Sequence, residues 1–231
     1  MALQAGAVEA VADVGLVVHT LLHSGGGGLR LIDEIMRCAP LFDRVDEVSL
    51  SSITTPRVRA LLRAKNGTLA LSGALVLFGC GPDPSAPVHI SRYKDWQARG
   101  DYCLKNGDQI FAADIFGDLR FVRDDAVYRL DGETGDHVLL GEFDVLLNQQ
   151  LSAIAEELGG KLGREHFANR GIGTDPLRLL PTRPFMMQEH VRGEFFEVPL
   201  TRAIDLKHRL FIACRDDPEG GGIDCSFWRE H

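Results

Sequence analysis

The stretch from Gln109 to Asp136, QIFAADIFGDLRFVRDDAVYRLDGETGD, decides the fold. Glycine and aspartate punctuate it at 116–118 and 124–125, and these residues suit corners where the backbone bends sharply or takes positive φ. Between the corners, apolar and charged positions partly alternate, which is typical of a sheet with one buried and one solvated face. The stretch therefore predicts an antiparallel meander of three short strands: 110–112, 119–122 and 126–130.

The meander is also the acidic part of the chain. The whole sequence carries 33 acidic and 25 basic residues, which gives a net charge of −8. Residues 101–150 contain 11 acidic and 4 basic residues, whereas residues 51–100 contain 7 basic and 2 acidic residues. An acidic surface repels nucleic acid and anionic membranes and attracts basic partners. We therefore expect no direct binding to nucleic acid or membranes. The acidic turns either form a dedicated binding surface or only keep the protein soluble.

Length and cysteine usage favour a reduced, cytoplasmic protein with a sizeable core. At 231 residues and 45% hydrophobic residues, the chain is long enough for one large domain with appendages. Its 5 cysteines lack the CxxC spacing of a zinc site, and their odd number disfavours a disulfide framework. The sequence leaves open whether any of them pair, for instance Cys214 with Cys225 across a hairpin.

The amino-terminal residues predict a separate accessory helix. Apolar residues recur at helical spacing in 8–22, and glycines at 25–28 then form a flexible joint. Acidic residues interrupt the apolar run and no basic region precedes it, so a signal peptide or transmembrane helix is disfavoured. We expect residues 1–28 to form this helix and joint, and residues 29–231 to form the main domain with a C-terminal extension. The helix would serve docking or dimerisation, or pack on its own domain.

Periodicity and turn residues predict further helices and strands in the main domain. Proline marks a helix start at Pro56, and Asn66-Gly67 ends that helix because both residues tolerate left-handed backbone. The strongest apolar stripe at helical spacing predicts a single helix from Glu142 to Leu158. The remaining predictions are helices at 29–37 and 93–98, a strand or strand pair at 69–78, strands at 88–90 and 206–214 and a hairpin corner at 218–222.

No motif in the sequence predicts catalysis. The 8 histidines include no HExxH, and a metal site at His19 and His23 on the predicted first helix would need further ligands. The serines lack a GxSxG elbow. Paired turn carboxylates can bind a divalent ion or transfer protons, but turn capping by aspartate explains them without chemistry. We therefore expect no enzyme activity, no catalytic residues, no metal and no cofactor.

Five segments between residues 57 and 190 follow one another in a specific order. They are Lys65-Asn66-Gly67 with the apolar run 69–78, the strand and turn 111–118, the hairpin 127–135, the helix at 143–158 and the LLPTRPF run 179–185. Together they resemble the SUKH superfamily of Smi/Knr-like immunity and scaffold proteins, in particular its bacterial immunity-type members. The sequence departs from that pattern at Gly132, where proline is usual, and at 186–188, where MMQ replaces a glycine-rich turn.

The resemblance implies an α+β fold in which a mostly antiparallel, twisted sheet packs on helices. Bacterial members of the superfamily are typically immunity proteins that neutralise protein toxins, many of them nucleases, and eukaryotic relatives are regulatory scaffolds. An acidic inhibitor can imitate phosphates and steer association with a basic nuclease. We therefore expect the carboxylates of the meander to contribute to a partner-binding surface: Asp114, Asp118, Asp124, Asp125, Asp131 and Glu133.

Two other classes of function stay open. One is a regulatory scaffold without a toxin partner, and the other is a metal-dependent hydrolase of unrecognised type. The identity of the partner and the oligomeric state are not encoded in any pattern of the sequence.

Overall fold

The computed structural model of the chain describes residues 28–94, 96, 101–167, 175–187, 194–216 and 225–229. The predicted accessory helix, the 218–222 corner and residues 95, 97 and 98 of the predicted short helix lie outside these ranges. Among the described residues, no helix combines the length and the apolar character needed to cross a membrane.

A six-stranded antiparallel sheet forms the centre of the described chain, and its strands follow one another in chain order. The strands are β1 (Thr68–Ala70), β2 (Leu75–Leu77), β3 (Gln109–Ala113), β4 (Leu119–Arg123), β5 (Ala126–Leu130) and β6 (His137–Glu142). The strand pair predicted at 69–78 is β1 and β2, and the three predicted meander strands are β3, β4 and β5. The prediction of an α+β fold with a mostly antiparallel sheet is confirmed.

Helices pack around this sheet. In chain order they are α1 (Leu31–Arg37), α2 (Glu47–Ser51), α3 (Pro56–Ala64), α4 (Phe143–Asn148), α5 (Leu151–Ile154), α6 (Gly160–Phe167) and α7 (Leu200–Asp216). The predicted helices at 29–37 and from Pro56 are α1 and α3. A second, two-stranded sheet consists of β7 (Leu177–Pro181) and β8 (Phe195–Pro199).

Two aspartates form the turn of the β4–β5 hairpin, as the sequence predicts. Asp124 and Asp125 have φ values of 50° and 64°, a left-handed conformation that aspartate tolerates better than most residues. This two-residue turn fixes the register of the hairpin, in which Phe121 lies opposite Tyr128 and Arg120 lies opposite Arg129.

The central strands are covered on both faces, so the prediction of one solvated face is wrong for them. Every residue of β3 is buried, and in β4 Arg123 alone is partly exposed. Helices α1, α3, α4 and α5 contribute apolar side chains to the space over one face, next to Ala112 and Arg120. On the other face, Ile204 and Lys207 of α7 lie near Leu119 together with Trp96 and Tyr102. β6, an edge strand that the sequence analysis did not predict, has exposed residues at Val138, Leu139 and Glu142.

The single helix predicted from Glu142 to Leu158 is broken into α4 and α5. Gln149 and Gln150 take extended conformations, with ψ values of 145° and 131°. The cause is a β-bridge between Gln150 and Arg30, in which the Leu31 N–H donates to Gln149 O and the Leu151 N–H donates to Leu29 O. Tertiary hydrogen bonds at this point replace those that a continuous helix would make.

The strand predicted at 206–214 is also wrong, because this segment belongs to the 17-residue helix α7. Its buried residues recur at helical spacing: Leu200, Ala203, Ile204, Leu206, Lys207 and Leu210. Likewise, the predicted strand at 88–90 forms only a bridge between Gly79 and His89, followed by a 3₁₀ turn at Ile90–Tyr93. Apolar character was a correct guide to burial in both segments and a poor guide to the type of element.

Replacing Leu210 with alanine should lower the free energy of unfolding by about 2–5 kcal/mol, because the substitution leaves a cavity inside the packed face of α7. The Leu210 side chain is 0% exposed. Urea unfolding followed by circular dichroism measures the change. The control is Asp205→Ala, at an exposed position of the same helix, which should change stability by less than about 0.5 kcal/mol. Equal effects of the two substitutions would contradict this packing.

Candidate functional site

The structure separates the six predicted carboxylates into a buried and an exposed set. Asp114, Asp118 and Glu133 are only 3%, 8% and 1% exposed. Asp131 is half-buried, and its carboxylate accepts the backbone N–H groups of Glu133 and Thr134. Asp124 and Asp125 are exposed at the tip of the β4–β5 hairpin. The expected common surface therefore does not exist for the first three residues, which face the interior.

Asp114 holds the turn between β3 and β4. Its Oδ1 accepts the N–H groups of Phe116 and Asp118, both at 3.0 Å. Its Oδ2 accepts a hydrogen bond from Nη2 of Arg120 at 2.9 Å, in an ion pair that is almost fully buried. Burial raises the pKa of Asp114 although the charge of Arg120 acts in the opposite direction. The residue is a structural component of the turn.

Asp118 connects the meander to the C-terminal helix. The Lys207 ammonium on α7 donates to Asp118 Oδ1 at 2.5 Å, and the Gly132 N–H donates to the same oxygen at 3.1 Å. Burial acts to raise the pKa of Asp118, but the charge and hydrogen bond of Lys207 outweigh it, so this pKa lies below its ordinary value. Burial acts to lower the pKa of Lys207, but the surrounding carboxylates raise it above its ordinary value.

Glu133 and Arg178 complete this buried set of charges. Glu133 Oε2 accepts the Met186 N–H at 3.0 Å, and burial raises the pKa of the carboxyl group. Arg178 Nη1 donates to Gly73 O at 2.8 Å and to Leu177 O at 2.6 Å. Burial lowers the pKa of Arg178 to about 10. We call this group the buried ion network: Asp114, Asp118, Arg120, Glu133, Arg178 and Lys207.

The sequence analysis singled out the acidic members of the buried ion network as candidate site residues, but none of its basic members. Arg120 and Arg178 each stand alone between apolar residues, in LRFV and LRLL. A single cation inside an apolar strand is costly to bury without a counter-charge, so it indicates a buried carboxylate nearby. Lys207 carries no comparable local signal, because its partner lies 89 residues earlier in the chain.

The exposed carboxylates of residues 101–150 lie at the two ends of β6. Asp124, Asp125 and Glu142 are exposed at one end, and Asp136 is exposed at the other. Asp124 and Asp125 lie near Glu142 because Ala126, the next residue in the chain, pairs with Glu142. At the first end, Arg57 lies within 3.7 Å of Asp125 and within 3.3 Å of Asp144 and offsets part of this charge.

β6 itself is the open edge of the large sheet within the described residues, where it pairs only with β5. Val138 and Leu139 are 40% and 60% exposed. They are adjacent in the strand and therefore point to opposite faces of the sheet. The other outer strand, β1, carries a bridge from Pro40 to Thr68. We call β6 together with Asp124, Asp125, Asp136 and Glu142 the acidic edge.

The described residues contain no group of three or more His, Cys, Asp or Glu side chains arranged to hold a metal ion. His19 and His23 lie outside these residues. The structure shows free thiols at Cys38, Cys80, Cys103 and Cys214.

Comparisons of the chain with protein-family models, with curated proteins and with solved structures gave no match.

Replacing Lys207 with methionine should lower the free energy of unfolding by about 3–5 kcal/mol, because it leaves Asp118 buried beside a hydrophobic side chain without its cation. The double variant Lys207→Met with Asp118→Asn removes the uncompensated charge and should recover part of this loss. Urea unfolding at neutral pH provides the measurement.

The matched control for this prediction is Arg63→Met. Arg63 forms a solvent-exposed ion pair with Glu47, with Nη2 and Oε2 3.4 Å apart, so the change should cost less than about 1 kcal/mol. A Lys207 variant as stable as the control would show that the Lys207–Asp118 pair does not hold α7 to the meander.

Proposed function

We propose that this chain is a cytoplasmic immunity-type protein that neutralises a protein toxin by association, without catalysis, and that the acidic edge is its binding surface. The observation that supports the proposal is the open strand β6, whose exposed Val138 and Leu139 lie between three exposed carboxylates at one end and Asp136 at the other. The order of motifs that resembles the SUKH superfamily supports the same function.

The edge strand offers backbone hydrogen bonds to a partner. An unpaired outer strand presents a row of N–H and C=O groups, and an extended segment of another protein can add to the sheet there. Gly141 has a φ of 135° at the irregularity in the β5–β6 register, so the strand is not uniformly extended along its length. The part of β6 that pairs regularly with β5, His137 to Leu139, is therefore the segment to which a partner strand would add.

An aromatic cluster lies behind Leu139 on one face of the sheet. Leu139 pairs with Tyr128, and the Tyr128 ring stacks on Phe121 with centroids 5.2 Å apart. The Arg123 guanidinium lies 5.1 Å from the Phe121 ring centroid and 5.5 Å from the Tyr128 centroid. Tyrosine and arginine are enriched in protein-binding hot spots, so the partly exposed Tyr128 and Arg123 favour a binding role for this face.

The carboxylates at both ends of β6 favour a basic partner. Proteins that bind phosphate backbones carry Lys and Arg on their surface, and complementary charge raises the rate of association and disfavours wrong partners. A toxin with nuclease activity is the partner that fits this charge. The proposal rests on Asp124 and Asp125 from the predicted set and adds Asp136 and Glu142.

The test is binding to the protein product of an adjacent toxin-like gene, measured by calorimetry at several salt concentrations. The edge variant combines Asp124→Asn, Asp125→Asn, Asp136→Lys and Glu142→Lys, with asparagine at the turn because it also tolerates positive φ. We expect binding to become roughly 10–100-fold weaker at low salt, with a smaller dependence on salt concentration.

A control variant changes the net charge by the same amount elsewhere on the surface. It combines Asp43→Asn, Asp205→Asn, Glu156→Lys and Glu165→Lys, all at exposed positions, and should bind within about threefold of the unmodified protein. Equal losses in the two variants would show that net charge alone matters, and unchanged binding by the edge variant would overturn the proposed surface. Leu139→Lys tests the apolar part of the same surface and should weaken binding by itself.

A further inference from the structure

A groove with a volume of about 510 Å³ lies beside Gly28, where the described chain begins. Part of its wall is aliphatic and consists of Leu29, Leu151 and Ala155. The other lining residues are polar groups and glycine: Gly28, Gln150, Ser152, Glu156, Lys161 and Arg164. Clefts of roughly 300–1,000 Å³ with an apolar wall and a few polar groups are the usual form of a binding site. The groove therefore has room for an occupant.

Backbone hydrogen bonds fix the start of the described chain at the edge of this groove. The Leu151 N–H donates to Leu29 O at 2.7 Å, and the Leu31 N–H donates to Gln149 O at 3.1 Å. These bonds hold residues 29–31 against the break between α4 and α5. The residues that precede Gly28 are therefore connected directly to the groove.

The sequence before Gly28 contains a segment with many apolar side chains. In residues 8–22, VEAVADVGLVVHTLL, 10 of the 15 residues are alanine, valine or leucine. Such a segment is stabilised when its apolar side chains leave water, and large exposed apolar patches are rare on monomeric soluble proteins. An apolar groove at the point of connection is the nearest surface that can cover it.

The link between this segment and the groove is short. Residues 23–27 separate Leu22 from Gly28, and the connection reaches at most roughly 20 Å when it is fully extended. A short tether gives a segment an effective concentration of roughly millimolar at a nearby site. At lower protein concentrations, docking within one chain is therefore favoured over docking between two copies.

One face of the predicted helix combines acidic and apolar residues. Glu9 and Asp13 are four residues apart and are neighbours on a helix surface, and Ala12 and Leu16 lie on the same side. This face presents two carboxylates next to an aliphatic surface.

The groove offers the complementary arrangement. Lys161 and Arg164 are three residues apart in α6 and are both exposed, and Glu156 offsets only one of their two charges. The ion pair of Lys161 with Glu165 spans 3.9 Å between Nζ and Oε1, and both side chains are more than half exposed. Exposed ion pairs contribute little stability, so Lys161 can accept another carboxylate at small cost.

We propose that the groove is the docking site of residues 8–22 of the same chain. The acidic and apolar face of the segment contacts the groove, with the aliphatic side chains on the aliphatic wall and the two carboxylates facing Lys161 and Arg164. Docking removes apolar side chains of the segment from water and covers a wall that is otherwise partly exposed. This contact shares no residue with the acidic edge and does not depend on the proposed partner.

The first experiment joins amines to neighbouring carboxylates in the full chain with a water-soluble carbodiimide. An equal mixture of unlabelled and ¹⁵N-labelled protein at low micromolar concentration is treated, digested and measured by mass spectrometry. We expect amide links from Lys161 to Glu9 or Asp13 in which both peptides carry the same isotope.

The isotopes identify the occupant of the groove. Links that join an unlabelled peptide to a labelled one would show that a second copy occupies the groove, and would overturn docking within one chain. The link from Lys161 to Glu165 is the internal control for reactivity. Absence of links to the segment in a sample that contains this control link would also overturn the proposal.

The second experiment measures hydrogen exchange of the full chain. An isolated helix of this length is marginal in water, so protection of the amides of residues 8–22 reports docking. The reversal variant combines Lys161→Glu with Arg164→Glu. We expect these amides to exchange about tenfold faster in it, because two attractions become repulsions. Adding Glu9→Lys and Asp13→Lys restores opposite charges and should return exchange to within about twofold of the unmodified protein.

The matched control combines Arg44→Glu with Lys105→Glu, at two exposed cations outside the groove. It changes the net charge by the same amount and should leave exchange of residues 8–22 within about twofold of the unmodified protein. Equal acceleration in the control and reversal variants would overturn the proposal, as would a charge swap that fails to restore protection.

Discussion

The ion pair between Lys207 and Asp118 is the contact on which the arrangement of the C-terminal half depends. It joins α7 to the β3–β4 turn across 89 residues of sequence, with Nζ and Oδ1 2.5 Å apart. Because both groups are buried, neither can exchange its partner for water without a large loss of free energy. The Gly132 N–H shares the same acceptor oxygen. One carboxylate therefore fixes the relative positions of a turn, a hairpin and a helix.

Acidic residues in this chain have two separate roles that composition alone cannot distinguish. Asp114, Asp118 and Glu133 organise the interior, where each is matched by a cation or a backbone N–H. The exposed carboxylates at the ends of β6 do not reach the interior, and they define the charge that an approaching protein meets. The net charge of residues 101–150 thus overstates the charge of the surface, and the proposed partner surface is narrower than the acidic stretch of sequence.

Local patterns predicted the elements that local interactions determine. The meander strands and the Asp124-Asp125 turn follow from alternation and from the tolerance of aspartate for positive φ. The break at Gln149 and Gln150 could not be predicted, because it depends on hydrogen bonds to the segment around Arg30. The same holds for the candidate site: the carboxylates were visible in the sequence, but the burial of Asp118 depends on a lysine far along the chain. The roles of these carboxylates depend on partners that are distant in the sequence. Hydrophobic periodicity carries no information about such partners.

The pairing of Lys207 with Asp118 affects how the chain folds during its synthesis. During translation, residues 109–142 leave the ribosome well before α7 does, at roughly 5–20 residues per second. Until Lys207 emerges, the strands can pair with one another, but Asp118 lacks the Lys207 ammonium and one face of the sheet lacks the cover that α7 provides. The nascent sheet therefore remains incomplete, with apolar surface open to chaperones or to other chains, until α7 emerges. The large sheet is thus completed only after α7 has been synthesised.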